Sequence, residues 1–529
     1  MVDTAGGRAG EPGTPPSGRR TRLTRAGLLF ATFACAACGL VYELALVAQG
    51  SYLLGDSVTQ ASVVLATMVF AMGLGALAAK PLQRSPLLGF AAVEAVLALA
   101  GGLSVLTLYA SFTWLDLYWP SLVAIAMVTG GLIGTEIPLL MTLLQRIRRQ
   151  EAGSAVADLF AADYVGALVG GLAFPFLLLP LLGQARGALL VGMVNALAGA
   201  AVVLGLFARS VPRRHRVAVT AGTMAVLAVL GVAFAGSDAI LRHARDALYE
   251  DPVVYAETSH YQQIVITQSA PVASGPTDTR LFLDGDLQFS SIDEYRYHEA
   301  LVHPALAGPR DRVLVLGGGD GLAMREVLRY PDVRQAVEVE LDPSMLRLAR
   351  EDRRLTDLNH HSLSDPRVRL VTADAFTWLR GAGERFDAVI VDMPDPDSTA
   401  TAKLYSQEFY TLVRRVLAPG GRMVVQSGSP YFAPRSFDCV AATVRAAGFR
   451  TTLYHVDVPS FGDWGFTLAQ VSSAPPLRLD PPVGLRFLDQ DTLGAAAVFP
   501  ADRRPHDSRP STLDDPRILR LVNSEWRNY

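Results

Sequence analysis

RVLVLGGGDGLAMREVLRYPDVRQAVEVELD, residues Arg312–Asp342, decides the fold of this chain. Arg312–Leu316 is a short run rich in Val and Leu, the pattern of a strand buried on both faces. Gly317, Gly318, Gly319 and Gly321 follow at once, and Leu322–Tyr330 has helical spacing. A strand that enters a glycine turn and leaves as a helix lets backbone approach a ligand at a helix N-terminus. Gln335–Leu341 is a second apolar run, closing on Glu340 and Asp342. An acid at the end of strand two, about 20 residues past the glycines, is where a Rossmann-like site holds ribose hydroxyls.

The glycine turn also contains Asp320. Methyltransferases that use S-adenosylmethionine accept an amino-acid tail near this point, carboxylate included. A fixed aspartate repels that carboxylate and attracts a bare amine. The plainer reading of Asp320 is a cap on the following helix.

At 529 residues the chain has room for at least two domains. Its net charge of −3 gives no reason to expect nucleic acid as a partner. The three cysteines, Cys35, Cys38 and Cys439, form no disulfide framework. Apolar residues crowd the first half. Residues 1–26 read as a disordered basic N-terminus, with Arg19, Arg20, Arg22 and Arg25 ahead of the first apolar run. Residues 27–236 carry runs long enough to cross a bilayer near 27–47, 61–80, 87–109, 119–143, 162–182, 187–207 and 217–236. Gly73, Gly75, Gly166, Gly170 and Gly171 suit close helix approach. Glu43, Glu136 and Asp163 lie inside or at the ends of these runs, as an amine or cation site or as interhelical hydrogen bonds. The expectation is a multi-pass cell-membrane protein of about seven spans with the lipid bilayer as partner. Basic loops put the N-terminus inside, so seven crossings place the second half outside, whereas an adenosyl donor is made inside. Sequence leaves that conflict open.

Residues 237–250 read as a short helical linker. Residues 251–291 read as a small antiparallel β-domain, with strands Val253–Glu257, Tyr261–Thr267, Thr279–Leu283 and Leu287–Phe289 and a hairpin turn at Asp284–Asp286. Residues 292–473 alternate helix and strand. Val368–Thr372 ends at Asp374, Phe386–Val391 ends at Asp392, and Gly421–Gln426 follows a helix at Ser406–Leu417 and a turn at Pro419–Gly421. A late hairpin falls near Thr451–Val456 and Phe466–Val471, and residues 474–529 form a C-terminal extension, helical near Asp515–Trp526. The fold class is thus a membrane helical bundle followed by α/β: a small β-sheet domain and a doubly wound, methyltransferase-like Rossmann sheet.

Acids sit at strand tips, at Asp320, Glu340, Asp374 and Asp392, and should converge on one crevice. Glu340 suits a ribose diol, because a carboxylate accepts both hydroxyl protons. Asp374 suits an adenine amino group or a helix N-cap. In VIVDMPDPDS, Asp392, Asp395 and Asp397 share one proline-stiffened loop. Such acids could hold a metal or a polyamine, but no His or Cys joins them, and no metal is expected.

These motifs, in this order, resemble the spermidine synthase (polyamine aminopropyltransferase) family, in its membrane-attached bacterial branch. The carriers are YQQI at Tyr261–Ile264, LDGDLQ at Leu283–Gln288, DEYRYHE at Asp293–Glu299, GGGDG, VELD at Val339–Asp342, DA at Asp374–Ala375, DMPDP at Asp392–Pro396 and LYSQEFY at Leu404–Tyr410. The resemblance implies that Gln262, Glu340, Asp374 and Ala375 hold the adenosyl part of the co-substrate, decarboxylated S-adenosylmethionine, with no resident cofactor. It implies that His298, Asp320 and Asp395 meet the amine portions, with Gln288 and Tyr297 in the substrate-lining segments. Asp392 would accept the proton. Phe461 stands where the family often has a tyrosine, and Asp397–Ser398–Thr399 replaces its usual Gly-Pro, which leaves the acceptor less defined than the donor.

The expected reaction moves an aminopropyl group to putrescine, giving spermidine and methylthioadenosine. The sulfonium is already an activated leaving group, so the chemistry calls for no metal. A methyltransferase on the same fold is one alternative. A polyamine transporter or sensor with a non-catalytic second half is the other. A homo-oligomer is compatible with either and undetermined by sequence.

Overall fold

A computed structural model describes residues 18–54, 57–115, 117–147, 152–269, 277–480 and 484–526. The chain forms two compact units that divide between Leu248 and Tyr249. The first is helical: α1 Gly18–Leu54, α2 Ser57–Leu82, α3 Pro86–Ala110, α4 Tyr118–Ile147, α5 Ala152–Ala173, α6 Leu179–Ala201 and α7 Arg213–Asp246. Small residues set its packing, as their spacing suggested. A Cβ on Gly75 would meet the Gly131 carbonyl oxygen at 1.9 Å, and one on Gly166 would meet that of Phe33 at 2.2 Å. Backbones therefore touch where α2 crosses α4 and where α1 crosses α5.

Three expectations change here. Among the described residues six helical stretches are long and apolar enough to cross a membrane, against seven apolar runs in the sequence. The fifth, Val156–Leu206, carries two of the runs in 51 residues. It breaks at Gly183, whose φ of 71° and ψ of 177° leave the helical region. The expected linker at 237–250 is mostly the end of α7, because Asp238–Arg245 continues the helix without a breaker. Residues 18–26, expected to be disordered, are the first turns of α1, and residues 1–17 lie outside the described residues.

The second unit begins with an antiparallel sheet, β1 Val253–Thr258, β2 Gln263–Gln268, β3 Thr279–Leu283 and β4 Asp286–Ser290, paired in chain order. Asp284 and Gly285 both have positive φ (52° and 97°), as a two-residue hairpin turn requires. Helix α8, Glu294–Leu306, leads into β5 Arg312–Gly317, β6 Gln335–Glu340, β7 Val368–Thr372, β8 Phe386–Asp392, β9 Leu417–Gln426, β10 Arg450–Val458 and β11 Gly462–Gln470. Their order is β10-β11-β9-β8-β5-β6-β7. The five strands from β9 to β7 are parallel, and β11 and β10 close the other edge antiparallel.

Burial on both faces explains the unbroken apolar runs. Val313 and Val315 face one core with Leu322, Ala323 and Leu301, while Leu314 and Leu316 face the other with Phe409 and Val425. The expected turn at Pro419–Gly421 lies within β9, where the register jumps between Leu417 and Arg422 and Gly420 has φ 78°. The extension is part of this unit. Leu488 and Leu493 enter the first core, and Ile518, Leu521 and Val522 the second. Chain order reverses on either side of β5, which pairs β6 on one flank and β8 on the other. Ligands bind doubly wound sheets at that switch point.

Candidate active site

Gly317 and Asp392 are register partners at the tips of β5 and β8. A Cβ on Gly317 would sit 2.0 Å from the Asp392 carbonyl oxygen, so only glycine lets the two strand ends come this close. The φ of 80° at Gly317 and 68° at Gly318 then turns the chain across the sheet edge. Asp320 follows. Its Oδ1 accepts from the Leu322 N–H at 2.8 Å, so it does serve the helix start, and among the described residues its other oxygen accepts no hydrogen bond. Gly319 lies against Glu340: a Cβ there would meet the Glu340 Cγ at 2.8 Å. Glu340 Oε1 accepts from the Asp342 N–H at 2.9 Å.

Asp320, Glu340, Asp392 and Asp395 are all half-buried. Burial is the first cause of their raised pKa values: Asp320 and Asp395 are each pushed to about 6, Glu340 to about 7, and Asp392 upward as well. Among the described residues none of the four forms an ion pair with Lys or Arg. The positive charge in the site is His298. Burial opposes its protonation, but the Glu294 carboxylate and then Asp320 and Asp392 outweigh that and raise its pKa to about 9. Its Nδ1 donates to Glu294 Oε2 at 2.9 Å. Arg325 holds both oxygens of Glu294 at 2.8 and 2.9 Å.

Asp392 Oδ1 accepts from the Tyr297 hydroxyl at 2.6 Å. Asp395 Oδ1 accepts from Gln426 Nε2 at 3.1 Å. Opposite that loop, Asp286 stands at the open rim of the small sheet. Partial desolvation, then repulsion by Asp397, Asp395 and Asp284, raises its pKa to about 7. The Gln288 side chain donates to the Asp286 carbonyl oxygen at 3.1 Å. Gln262 Nε2 donates to Asp342 Oδ2 at 3.1 Å, which ties the small sheet to the end of β6.

Of the two readings of Asp374, the helix cap is the one seen. It caps the helix Ala375–Gly381 through the Thr377 N–H at 2.8 Å, and its Oδ2 pairs with Lys403 Nζ at 2.7 Å. Burial pushes its pKa up, but Lys403 and the capped N–H outweigh this and lower it. It is therefore not one of the uncompensated acids. Ala375 begins that helix and is buried.

The spermine/spermidine synthase domain family matches residues 294–480. Polyamine aminopropyltransferase 1 of Streptomyces coelicolor is 60% identical over 521 residues, covering 98% of each chain. The chain belongs to the polyamine aminopropyltransferase family. Polyamine aminopropyltransferase 2 of the same organism is 50% identical over 550 residues, covering 96% of this chain and 98% of that one. The polyamine aminopropyltransferase of Mycobacterium tuberculosis is 49% identical over 513 residues, covering 95% and 97%.

Sequence reasoning missed several residues that shape this aminopropyltransferase site. Gln426 holds Asp395 and also donates to the Met393 carbonyl oxygen at 2.8 Å. It ends a parallel strand, so the strand-tip rule alone could have found it. Glu294 and Arg325, which sustain the His298 charge, have no such signal. Glu338 is fully buried with neither oxygen hydrogen-bonded, and burial followed by Glu340, Asp320 and Asp392 holds its pKa far above the usual range. It lies within β6, two residues before Glu340.

Proposed function

We propose that this aminopropyltransferase takes the aminopropyl group of decarboxylated S-adenosylmethionine and moves it to putrescine. The products are spermidine and 5'-methylthioadenosine. Asp392 is the proton acceptor. The observation that carries the reading is Asp392 itself: a carboxylate at the switch point, uncompensated by Lys or Arg, with one oxygen fixed by Tyr297.

The chemistry follows from charge. An alkylammonium has a pKa of about 10.4, so the acceptor arrives protonated and without a free electron pair. Asp392 Oδ2 takes one proton from it. The freed nitrogen attacks the carbon beside the sulfonium sulfur, and the C–S pair returns to sulfur. The positive charge leaves the sulfonium as a neutral thioether forms. Asp320 repels a donor that still carries its carboxylate and attracts one whose tail is a bare ammonium. Glu340 receives the ribose hydroxyls, with Gln262 and the Asp374–Ala375 turn around the rest of the adenosyl group. Asp395 and the rim acids Asp284 and Asp286 orient the far ammonium of the diamine.

The helical unit is read as a multi-pass cell-membrane domain. Phe70, Leu168, Phe176 and Leu181 are more than 60% exposed, while Glu94 and Asn195 are fully buried. That distribution suits a lipid surround.

The test uses the full chain in detergent, supplied with both donors and a series of diamines, with products identified by mass spectrometry. Spermidine from putrescine and the decarboxylated donor is expected. Methyl transfer from the carboxylated donor, or binding of both substrates without turnover, would refute the reading.

A further inference from the structure

Aminopropyl transfer makes no use of a polar cluster inside the helical unit. Cys35 on α1, Glu94 on α3 and Glu136 on α4 each offer one ligand-type atom within 4.8 Å of the other two. Their exposures are 0%, 0% and 5%. Among the described residues both Glu94 oxygens and Glu136 Oε1 lack a hydrogen-bond partner. Two polar groups of a different kind join them. Asn195 on α6 is fully buried, and its Nδ2 reaches the Glu94 carbonyl oxygen at 3.4 Å. Among the described residues its Oδ1 has no hydrogen-bond partner. The Tyr42 hydroxyl, two turns along α1 from Cys35, is fully buried and also unpartnered.

Buried polar atoms without partners are costly, and buried carboxylates most of all. Arg25 is paired with Asp158 and Arg186 with Asp238. A cation would satisfy these oxygens together. A polyamine is too large for the place, because Gly199 is pressed against Glu94: a Cβ on it would lie 2.5 Å from the Glu94 Cβ. A bare ion needs no such room. A thiol among the donors disfavours magnesium and calcium, which take oxygen alone, and favours a zinc-class ion.

We propose that Cys35, Glu94 and Glu136, with Asn195 Oδ1 as fourth donor, bind one divalent zinc-class metal ion that pins α1, α3, α4 and α6 together. Zinc takes such ligands at about 2.0–2.3 Å, in a four-coordinate site. The Cys35 thiol gives up its proton to solvent as the S–metal bond forms. Tyr42 then has an anionic neighbour to which it can donate.

The experiment uses the full chain purified in detergent without chelators. Elemental analysis should find about one zinc-class ion per chain, lost in Glu94→Gln and in Cys35→Ser, while aminopropyl transfer persists. After exchange with cobalt(II), the wild type should show a thiolate-to-cobalt charge-transfer band in the near ultraviolet, and Cys35→Ser should lack it. Should the variants fail to fold, the wild-type cobalt spectrum decides by itself. A wild-type chain that takes up neither zinc nor cobalt, or a cobalt spectrum without the thiolate band, overturns the proposal.

Discussion

The Tyr297 hydroxyl donates to Asp392 Oδ1 at 2.6 Å, and that bond is held from both sides. Tyr297 is buried, with its ring 5.4 Å from that of Phe466 and 6.2 Å from that of Phe461. The hydroxyl lowers the Asp392 pKa against the upward push of burial. Tyr297→Phe removes it and lets that pKa rise. Hydrogen bonds to charged groups are worth about 1.5–3 kcal/mol, so transfer near neutral pH should fall about 10- to 100-fold. The acid limb of the kcat/KM profile should move to higher pH. An unchanged acid limb would show that Asp392 is not the titrating base.

His298 gives a second pH signature. Its pKa is about 9, against 6.5 for a free histidine. A raised pKa means the stabilisation is complete below pH 6.5 and is lost as pH rises toward 9. The amount is about 3 kcal/mol at most. His298→Gln should flatten this slope in denaturant unfolding across that window. It should also raise the pKa of Asp392 and Asp320, whose carboxylates now benefit from the imidazolium. A slope that survives the substitution would assign the titration elsewhere.

Gly319 tests the proposed role of Glu340 on the donor without removing a charged group. Its φ is not in the left-handed region, so alanine meets no backbone strain there. The new methyl would sit 2.8–2.9 Å from Glu340 Cγ, Cδ and Oε2 and push the carboxylate aside. Donor KM should rise about 10-fold or more in Gly319→Ala, because small misplacements of a positioning group are costly. Acceptor KM should hardly change. Equal losses on both substrates would mean that Glu340 is not specific to the donor.

Glu299 tests how the extension is fastened. It is buried in α8 and accepts from the backbone N–H groups of Arg486, Phe487 and Leu488 at 2.7–2.9 Å. Glu299→Gln sets an amide N–H₂ against one of those donors. The expected loss is about 1.5–3 kcal/mol, seen as earlier unfolding of the second unit, with donor KM little changed. Wild-type stability in this variant would mean the extension is held by its apolar contacts alone.

What could be read from sequence was what strand ends dictate. β5, β6 and β8 are apolar because both sheet faces are covered, so their tips, and hence Asp320, Glu340 and Asp392, followed from the runs themselves. Asp374 was placed correctly at a helix start, yet its partner Lys403 is 29 residues away and leaves no local mark. Gln426 was legible by the same rule that found the acids. Glu94 was not singled out, because one acid inside a long apolar run barely changes its character, and only helix packing brings it beside Cys35 and Glu136. Six spanning stretches stand against seven apolar runs because two of the runs share one stretch, Val156–Leu206, which bends at Gly183 without ending.

The claim that Asp392 takes the proton is tested most directly by Asp392→Asn in the full chain. Asparagine keeps the size and still accepts from Tyr297, so the site geometry survives while the base is gone. Single-turnover transfer should fall by about 10²- to 10⁴-fold, with donor affinity, measured by calorimetry, close to wild type. Transfer at the wild-type rate, or lost donor binding with an intact rate for the bound fraction, would contradict the assignment.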